Sequence, residues 1–421
     1  MLSHSTTRRQ FLSSAAATSV MTFGATAPAF LQQAAAGGKD DGRILVVVEM
    51  AGGNDGLNTV VPFSDDEYMK ARPKLAVSKS DVLSINDTLG FNPALNGFAD
   101  LLEDGHLSIV QGVGYPDPNR SHFESMDIWH TCQRKDETRI DGWLGRYLAQ
   151  TIGANGSDPA ALHIGEDKQP FALMSRDVRV PSIRSLDQFR LDGTDSGQFK
   201  QAVKELSDAR RDSGNDLLGF VQSSTSSAIV ASERIEAAGM KYQPSKPYPQ
   251  NGLAKKLETV AKLINSGLKT PVYYVQINGF DTHAQQNAAH ASLLRQVGDS
   301  VSAFVYDMIA HGHGDRVLCL CFSEFGRRVQ ENASEGTDHG TAGPMFLSGT
   351  KVKPGLIGKH PSLSNLKDGD LQYHTDFRQV YSTVLTQWLN CDAEAALKGK
   401  FKAVDAINQR RRAIPQSAAG R

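Results

Sequence analysis

Several uninterrupted apolar runs of strand length constrain the fold more than any other feature of the sequence. The first, at 44–50, reads ILVVVEM, which is typical of a strand that is buried on both faces. Further runs at 107–112, 272–277 and 317–322 are separated by stretches with helical spacing. This alternation predicts an α/β fold with a mostly parallel central sheet and helices on both of its faces.

The predicted domain runs from 37 to 421 as one unit, with a helical insertion around 197–267. Before it, residues 5–12 read STTRRQFL, and an Ala- and Ser-rich apolar run then leads to the alanines at 34–36. A basic, an apolar and a small-residue region in this order are typical of a cleaved signal peptide. The paired arginines resemble the twin-arginine (Tat) export signal. We therefore expect residues 1–36 to direct Tat export and the mature protein to be periplasmic or extracellular.

Charge and hydropathy exclude two classes of partner. The 45 basic and 46 acidic residues give a net charge of -1, so the chain has no electrostatic footprint for nucleic acid or for an anionic membrane. The apolar run of the leader is too short and too mild for a membrane-spanning helix, so we do not expect an integral membrane protein. The expected partners are the Tat machinery, a small-molecule or glycan ester substrate, and an exported protein.

Polar residues that can carry chemistry are grouped directly after, or beside, the apolar runs. Ligand sites of open parallel sheets form at the edge where the strands' carboxyl ends meet, so we expect these groups to converge there. The groups are GGNDG at 52–56, NRSH at 119–122, NGFDTH at 278–283, SEFGRR at 323–328 and GTDHG at 336–340.

The residue types in these groups suit metal-assisted attack on an ester. Carboxylates and imidazoles bind zinc, manganese or calcium, and such a metal polarises the substrate and activates a hydroxyl or water. Ser121 opens a predicted helix, where backbone N–H groups favour anions, and is the candidate nucleophile. Glu124 would complete a capping box with Ser121. Arg327 or Arg328 would grip a phosphate or sulfate group.

Each group also has a structural explanation that the sequence leaves open. Ser121 could serve only as a helix cap, and the GGNDG run could form only a turn. Asp281 and His283 could be a hydrogen-bonded pair within one loop, and Glu324 could form an ordinary ion pair with the arginines after it. We treat His122 as a surface or internally bonded histidine.

Together, the leader and the motifs resemble the exported family called domain of unknown function 1501. The resemblance covers about residues 43–390 and rests on GGNDGLNTVVP at 52–62, NRSHFES at 119–125, and the GFDTH, SEFGRR and GTDHG motifs. The family is similar to the alkaline phosphatase and sulfatase superfamily, which implies an alkaline phosphatase-like, three-layer α/β/α fold. The resemblance also implies a metal-dependent hydrolase of phosphate or sulfate esters.

Carried over to this sequence, the resemblance implies that Ser121 is the nucleophile. It implies that the metal ligands are Asp55, Asp281, His283, Glu324 and His339, with Asp338 as a further candidate. There are two departures from the superfamily pattern: Asp281 and His283 are two residues apart instead of four, and Phe325 stands where a metal-binding histidine is usual. A one-metal site therefore stays open. So does the alternative function, a non-catalytic periplasmic binding or assembly protein on a degenerate phosphatase-like scaffold.

Overall fold

The structure, a computed structural model, describes residues 42–151, 158–184 and 242–408. The predicted signal peptide and most of the predicted helical insertion lie outside these ranges. Fourteen strands occur in the described ranges: β1 Ile44–Ala51, β2 Val60–Val61, β3 Leu83–Ser84, β4 Gly90–Phe91, β5 Leu107–Gly114, β6 Ala161–Ile164, β7 Ser182–Ile183, β8 Val272–Asn278, β9 Val317–Phe322, β10 Gly343–Ser348, β11 Gly355–Ile357, β12 Leu366–Lys367, β13 Asp370–Leu371 and β14 Thr375–Asp376.

Nine α-helices occur in the same ranges. They are α1 Gly56–Thr59, α2 Asp66–Ala71, α3 Asn96–Glu103, α4 His122–Thr131, α5 Trp143–Thr151, α6 Gly252–Asn265, α7 Gln286–Ala310, α8 Phe377–Thr383 and α9 Ala393–Leu397. Helix α6 belongs to the described part of the predicted insertion, residues 242–267, and it packs against α7 and β8 in the main core. No helix in the described ranges is both long enough and apolar enough to cross a bilayer.

The central sheet has nine strands within the described residues. Its order is β11–β5–β10–β9–β1–β8–β6–β7, and β14 also pairs with β5. Strand β1 is parallel to both of its neighbours, β8 and β9. Strand β10 is antiparallel to β9 and to β5, while every other pair in the sheet is parallel. The predicted mostly parallel sheet is confirmed.

The reversed direction of β10 decides where its preceding loop lies. Because β10 is antiparallel, its beginning lies at the edge where the parallel strands end. The GTDHG loop precedes β10, whereas the GGNDG, NGFDTH and SEFGRR groups directly follow β1, β8 and β9. All four groups therefore meet at one edge of the sheet, as the sequence predicts.

Alternate side chains of β1 enter two hydrophobic cores on opposite faces of the sheet. Val46 and Val48 belong to the core covered by α3, α6 and α7. Leu45 and Val47 belong to the core covered by α4, α5, α8 and α9. All four side chains are fully buried, which explains why the run is apolar without alternation. The expected three-layer α/β/α architecture is confirmed.

Candidate metal centre

Three imidazole rings converge on one carboxylate oxygen at this edge of the sheet. The Nε2 atoms of His283 and His339 each lie 3.0 Å from Oδ1 of Asp281, and Nε2 of His122 lies 3.3 Å from the same oxygen. The candidate ligand atoms of His122, Asp281 and His339 all lie within 4.8 Å of one another. Two atoms bound to one tetrahedral zinc ion at about 2.1 Å lie roughly 3.4 Å apart, so these separations are those of atoms that can share a cation.

The outer nitrogen of each ring fixes its tautomer. Ionised carboxylates and backbone carbonyls only accept hydrogen bonds, so each Nδ1 must donate a proton, and the neutral ring then has a lone pair on Nε2. This is the arrangement in which histidines bind metals. The outer contacts are His122 Nδ1 to Glu324 Oε1 at 2.8 Å, His283 Nδ1 to Asp338 Oδ1 at 3.1 Å, and His339 Nδ1 to the Arg120 carbonyl at 2.7 Å.

Two further observations show that these donors fit a divalent metal. Nε2 of His122 is buried and lacks a hydrogen-bond partner within the described residues. Nε2 of His283 and Nε2 of His339 are only 2.9 Å apart, although both are lone-pair atoms in the tautomer that their outer contacts select. Lone pairs at this distance repel each other unless a proton or a cation lies between them. A cation among the three Nε2 atoms and Asp281 would satisfy all of them.

Asp281 supplies negative charge to the centre. Partial burial acts to raise the pKa of Asp281, but the Arg327 guanidinium, whose Nη2 lies 2.8 Å from Oδ1, outweighs that effect, and the pKa is lowered to about 2. The carboxylate is 46% exposed. It is therefore ionised at neutral pH and open to a ligand from solvent.

Glu324 and Phe325 shape the centre without belonging to the converging group. Glu324 is buried, and besides His122 its carboxylate accepts the Gly52 N–H at 2.9 Å. The Phe325 ring packs against the rings of His122 and His339, with its centroid 4.9 Å from each. The predicted ligand Glu324 thus orients a ligand candidate, His122, which the sequence analysis missed. The available signal was the position of His122 beside Ser121, inside one of the polar groups.

Asp55 lies outside the converging group, although the resemblance implies a metal ligand at this position. The side chain is fully buried, and its Oδ2 accepts hydrogen bonds from Arg72 and Gln286, both at 2.5 Å. Burial acts to raise the pKa of Asp55, but the Arg72 guanidinium lowers it below the ordinary value. The structure therefore places Asp55 in a buried ion pair. Asp338, a further ligand candidate, lies behind His283 and contacts its outer nitrogen.

Arg327 connects the loops of the centre. It is 1% exposed, and it donates from Nε to the Gly53 carbonyl at 2.6 Å, from Nη1 to the Thr337 carbonyl at 2.8 Å, and from Nη2 to the Phe280 carbonyl at 2.8 Å. These acceptors belong to three different loops. Its donors face protein acceptors and Asp281 rather than solvent, so the side chain cannot grip a substrate anion as the sequence predicts. It positions Asp281 instead.

Ser121 lies at the rim of the centre as the N-cap residue of α4. It is exposed, and its side chain makes no capping hydrogen bond. The predicted capping box is wrong, because Glu124 pairs with Arg139 at 3.0 Å. Ser121 stands between Arg120, whose carbonyl holds His339, and His122. A serine that does not cap its helix has its hydroxyl available to a ligand.

Comparison with known proteins gives one family. The model described as "Protein of unknown function (DUF1501)" matches residues 107–400. No curated protein sequence matches the chain.

Three of the solved structures to which the chain is similar are a sulfatase, a lipoteichoic acid synthase and a phosphonate monoester hydrolase. The PsFucS1 sulfatase from Pseudoalteromonas sp. has 11% identity over 87% of this chain and 73% of that chain, with a TM-score of 0.37. The lipoteichoic acid synthase LtaP from Listeria monocytogenes has 8% identity over 79% and 74%, with a TM-score of 0.35. The phosphonate monoester hydrolase SpPMH from Silicibacter pomeroyi has 10% identity over 85% and 76%, with a TM-score of 0.34.

Proposed function

Because the chain belongs to DUF1501, a family of unknown function, its own residues must indicate its chemistry, and we propose that it is a metal-dependent hydrolase of phosphate or sulfate esters. One observation carries the proposal. Three imidazoles, each with its outer nitrogen engaged by an acceptor, direct their Nε2 atoms toward the ionised Asp281. Such a set has no evident use in packing, because it brings lone pairs together at an exposed edge.

The donor set favours zinc over calcium. His122, His283 and His339 would supply three nitrogens and Asp281 one oxygen, a mixture that zinc accepts in tetrahedral sites. Calcium takes six to eight oxygens, and manganese prefers an oxygen-rich set. Bound there, a divalent metal would polarise the ester and make a hydroxyl or water nucleophilic at neutral pH.

Other residues around the centre orient the metal ligands and supply a hydroxyl group. Glu324 and Asp338 hold the Nδ1 protons of His122 and His283, which keeps both Nε2 atoms free for the metal. Arg327 fixes the Asp281 carboxylate from the protein side. Ser121 presents a hydroxyl at the beginning of a ten-residue helix, where backbone N–H groups favour the developing negative charge.

We also propose that the protein acts outside the cytoplasm. The paired arginines and the apolar run of residues 1–36 support Tat export, and hence a periplasmic or extracellular location. The substrate would then be a small-molecule or glycan ester that is accessible there.

Metal content and turnover test the proposed function together. Protein purified without chelator should contain about one zinc per chain, and it should hydrolyse nitrophenyl phosphate or nitrophenyl sulfate. The His122→Ala and Asp281→Ala variants should lose both properties, since each removes a converging ligand atom. His106→Ala is the matched control, because His106 directly precedes β5 at the opposite edge of the sheet. Absence of bound metal, together with no turnover after addition of any divalent ion, would exclude the hydrolase. Bound metal without turnover of either ester would favour the non-catalytic alternative.

A further inference from the structure

Two arginines at the rim of the metal centre are held by one buried carboxylate. Nη2 of Arg120 pairs with Oδ2 of Asp370, and Nε of Arg328 lies 3.3 Å from Oδ1 of the same residue. The side chain of Asp370 is 1% exposed, whereas those of Arg120 and Arg328 are 42% and 36% exposed. The three groups carry a net charge of +1, and both guanidinium groups reach solvent.

Arg120 contacts one of the converging histidines directly, and Arg328 contacts a residue that holds another. The carbonyl of Arg120 accepts the Nδ1 proton of His339 at 2.7 Å. The N–H of Arg328 donates to the carbonyl of Asp338 at 3.0 Å, and the side chain of Asp338 holds His283. The pair therefore belongs to the same rim as the metal centre, and it borders the position that a bound substrate would occupy.

The hairpin formed by β12 and β13 fixes the two guanidinium groups. Asp370 is the first residue of β13, and the turn before it contains Gly369, whose φ is +82°. A Cβ at Gly369 would lie 3.2 Å from Nη2 of Arg328, so glycine both adopts the left-handed backbone and lets the turn approach the guanidinium. The carbonyl of Asp368 in this turn also accepts a hydrogen bond from Arg328. The side chains are therefore ordered before any ligand arrives.

These two arginines differ from Arg327 in how many of their N–H groups already bind protein acceptors. The guanidinium of Arg327 is buried among protein acceptors. Within the described residues, the guanidinium of Arg120 has one acceptor, Asp370, which leaves most of its N–H groups for a ligand. A planar guanidinium binds the oxygens of a carboxylate, sulfate or phosphate in a bidentate manner.

We propose that Arg120 and Arg328 form a subsite for a second oxyanion of the substrate, beside the ester that is hydrolysed. The inference rests on the proposed function and narrows its substrates to esters that carry a further sulfate, phosphate or carboxylate group, as in a polysulfated glycan. Asp370 is a positioning residue in this subsite, since it orients both guanidinium groups and is itself buried.

The first test compares two substrates. A nitrophenyl phosphate or sulfate with a ring carboxylate should be hydrolysed with a kcat/KM about tenfold higher than that of the same ester without it, because a charge-assisted pair supplies a factor of this size. The ratio should fall to about one in Arg120→Gln and Arg328→Gln, and Arg120→Lys should keep part of it. Lys262→Gln, which removes a surface charge on α6, is the matched control and should leave the ratio unchanged. A wild-type ratio of one, or an unchanged ratio in both arginine variants, would overturn the proposal.

The second test does not depend on activity. Inorganic sulfate should bind to the metal-free protein in calorimetry, and Arg120→Gln should weaken this binding about tenfold, because it removes one guanidinium from a two-guanidinium site. Since Arg120→Gln leaves a buried carboxylate with one partner fewer, the double variant Arg120→Gln, Asp370→Asn serves as a second, charge-compensated form. Sulfate affinity equal to that of the wild type in both forms would overturn the subsite. Failure of the metal centre alone would appear as absent zinc with sulfate binding intact, so the two proposals fail separately.

Discussion

Replacing Glu324 with glutamine tests the metal centre at the residue that orients His122. Oε1 of Glu324 accepts the Nδ1 proton of His122 at 2.8 Å and the Gly52 N–H at 2.9 Å, and Oε2 lies 3.0 Å from the Ser323 hydroxyl. Glutamine has the same shape and keeps one acceptor oxygen for the first two donors. Its amide N–H can donate to the Ser323 oxygen. The fold should therefore tolerate the change, while the negative charge behind the imidazole is lost.

The size of the effect follows from the role of that charge. The hydrogen bond that His122 donates to Glu324 raises the pKa of His122, which means that the carboxylate makes this ring a stronger base toward a proton and toward a metal. Loss of such an outer partner lowers metal affinity by about 10–100-fold, or about 1.4–2.7 kcal/mol. In the metal-free variant, the pKa of His122 should fall toward its ordinary value. Both changes have one cause and should occur together.

Zinc affinity can be measured at neutral pH by competition with a chromophoric chelator, and the pKa of His122 by an NMR titration of the metal-free protein. Glu258→Gln is the matched control, because Glu258 forms an ion pair with Lys262 on α6. The reasoning is refuted if Glu324→Gln binds zinc as tightly as the wild type while thermal unfolding of the metal-free proteins is the same.

Three stability predictions follow from groups around the centre. Burial lowers the pKa of His290 from 6.5 to about 4, so as the pH falls the unfolded chain binds this proton before the folded protein does. The free energy of unfolding should therefore decrease by up to about 3 kcal/mol as the pH falls from 6.5 toward 4. In urea unfolding, His290→Gln should reduce this dependence on pH. Arg72→Met leaves the buried carboxylate of its ion pair uncompensated and should cost about 3–5 kcal/mol in the same assay. Gly53→Ala places a Cβ 2.2 Å from the Phe325 ring, so it should lower the free energy of unfolding by about 1–3 kcal/mol and weaken zinc binding. Gly312 has a similar φ with open space around it, so Gly312→Ala should leave zinc affinity unchanged.

Much of the fold could be predicted because it depends on local patterns. The run at Ile44–Ala51 is apolar at nearly every position, and this alone indicates a strand between two layers of helices. The direction of β10 could not be predicted in this way. The apolar pattern of a six-residue strand does not indicate whether the strand runs parallel or antiparallel to its neighbours. The orientation of β10 is decided by pairing with β5 and β9.

In the candidate site, too, only the features that depend on local sequence could be predicted. Asp281 and His283 lie where the strand-end rule implies, in the loop that follows β8. His339 joins them because β10 is antiparallel, which brings the loop before β10 to the same edge. The position of His122 beside Ser121 was the only local signal of its role, because the carboxylate that orients its ring belongs to Glu324, about two hundred residues away. The burial of Arg327 could not be predicted either, because its acceptors are backbone carbonyls of loops that are distant in sequence. Every residue has such a carbonyl, so the residue types do not indicate which ones accept a hydrogen bond.

The guanidinium of Arg327 ties the loops of the centre together with bonds that involve protein atoms alone. The loops that carry the donors therefore do not need an ion to assemble, although the facing Nε2 atoms of His283 and His339 still need a proton or a cation between them. An ion that dissociates and returns meets loops that are already in place, so ordering of the surrounding chain subtracts little from its free energy of binding. Exchange of one metal for another should accordingly proceed without any refolding of the protein.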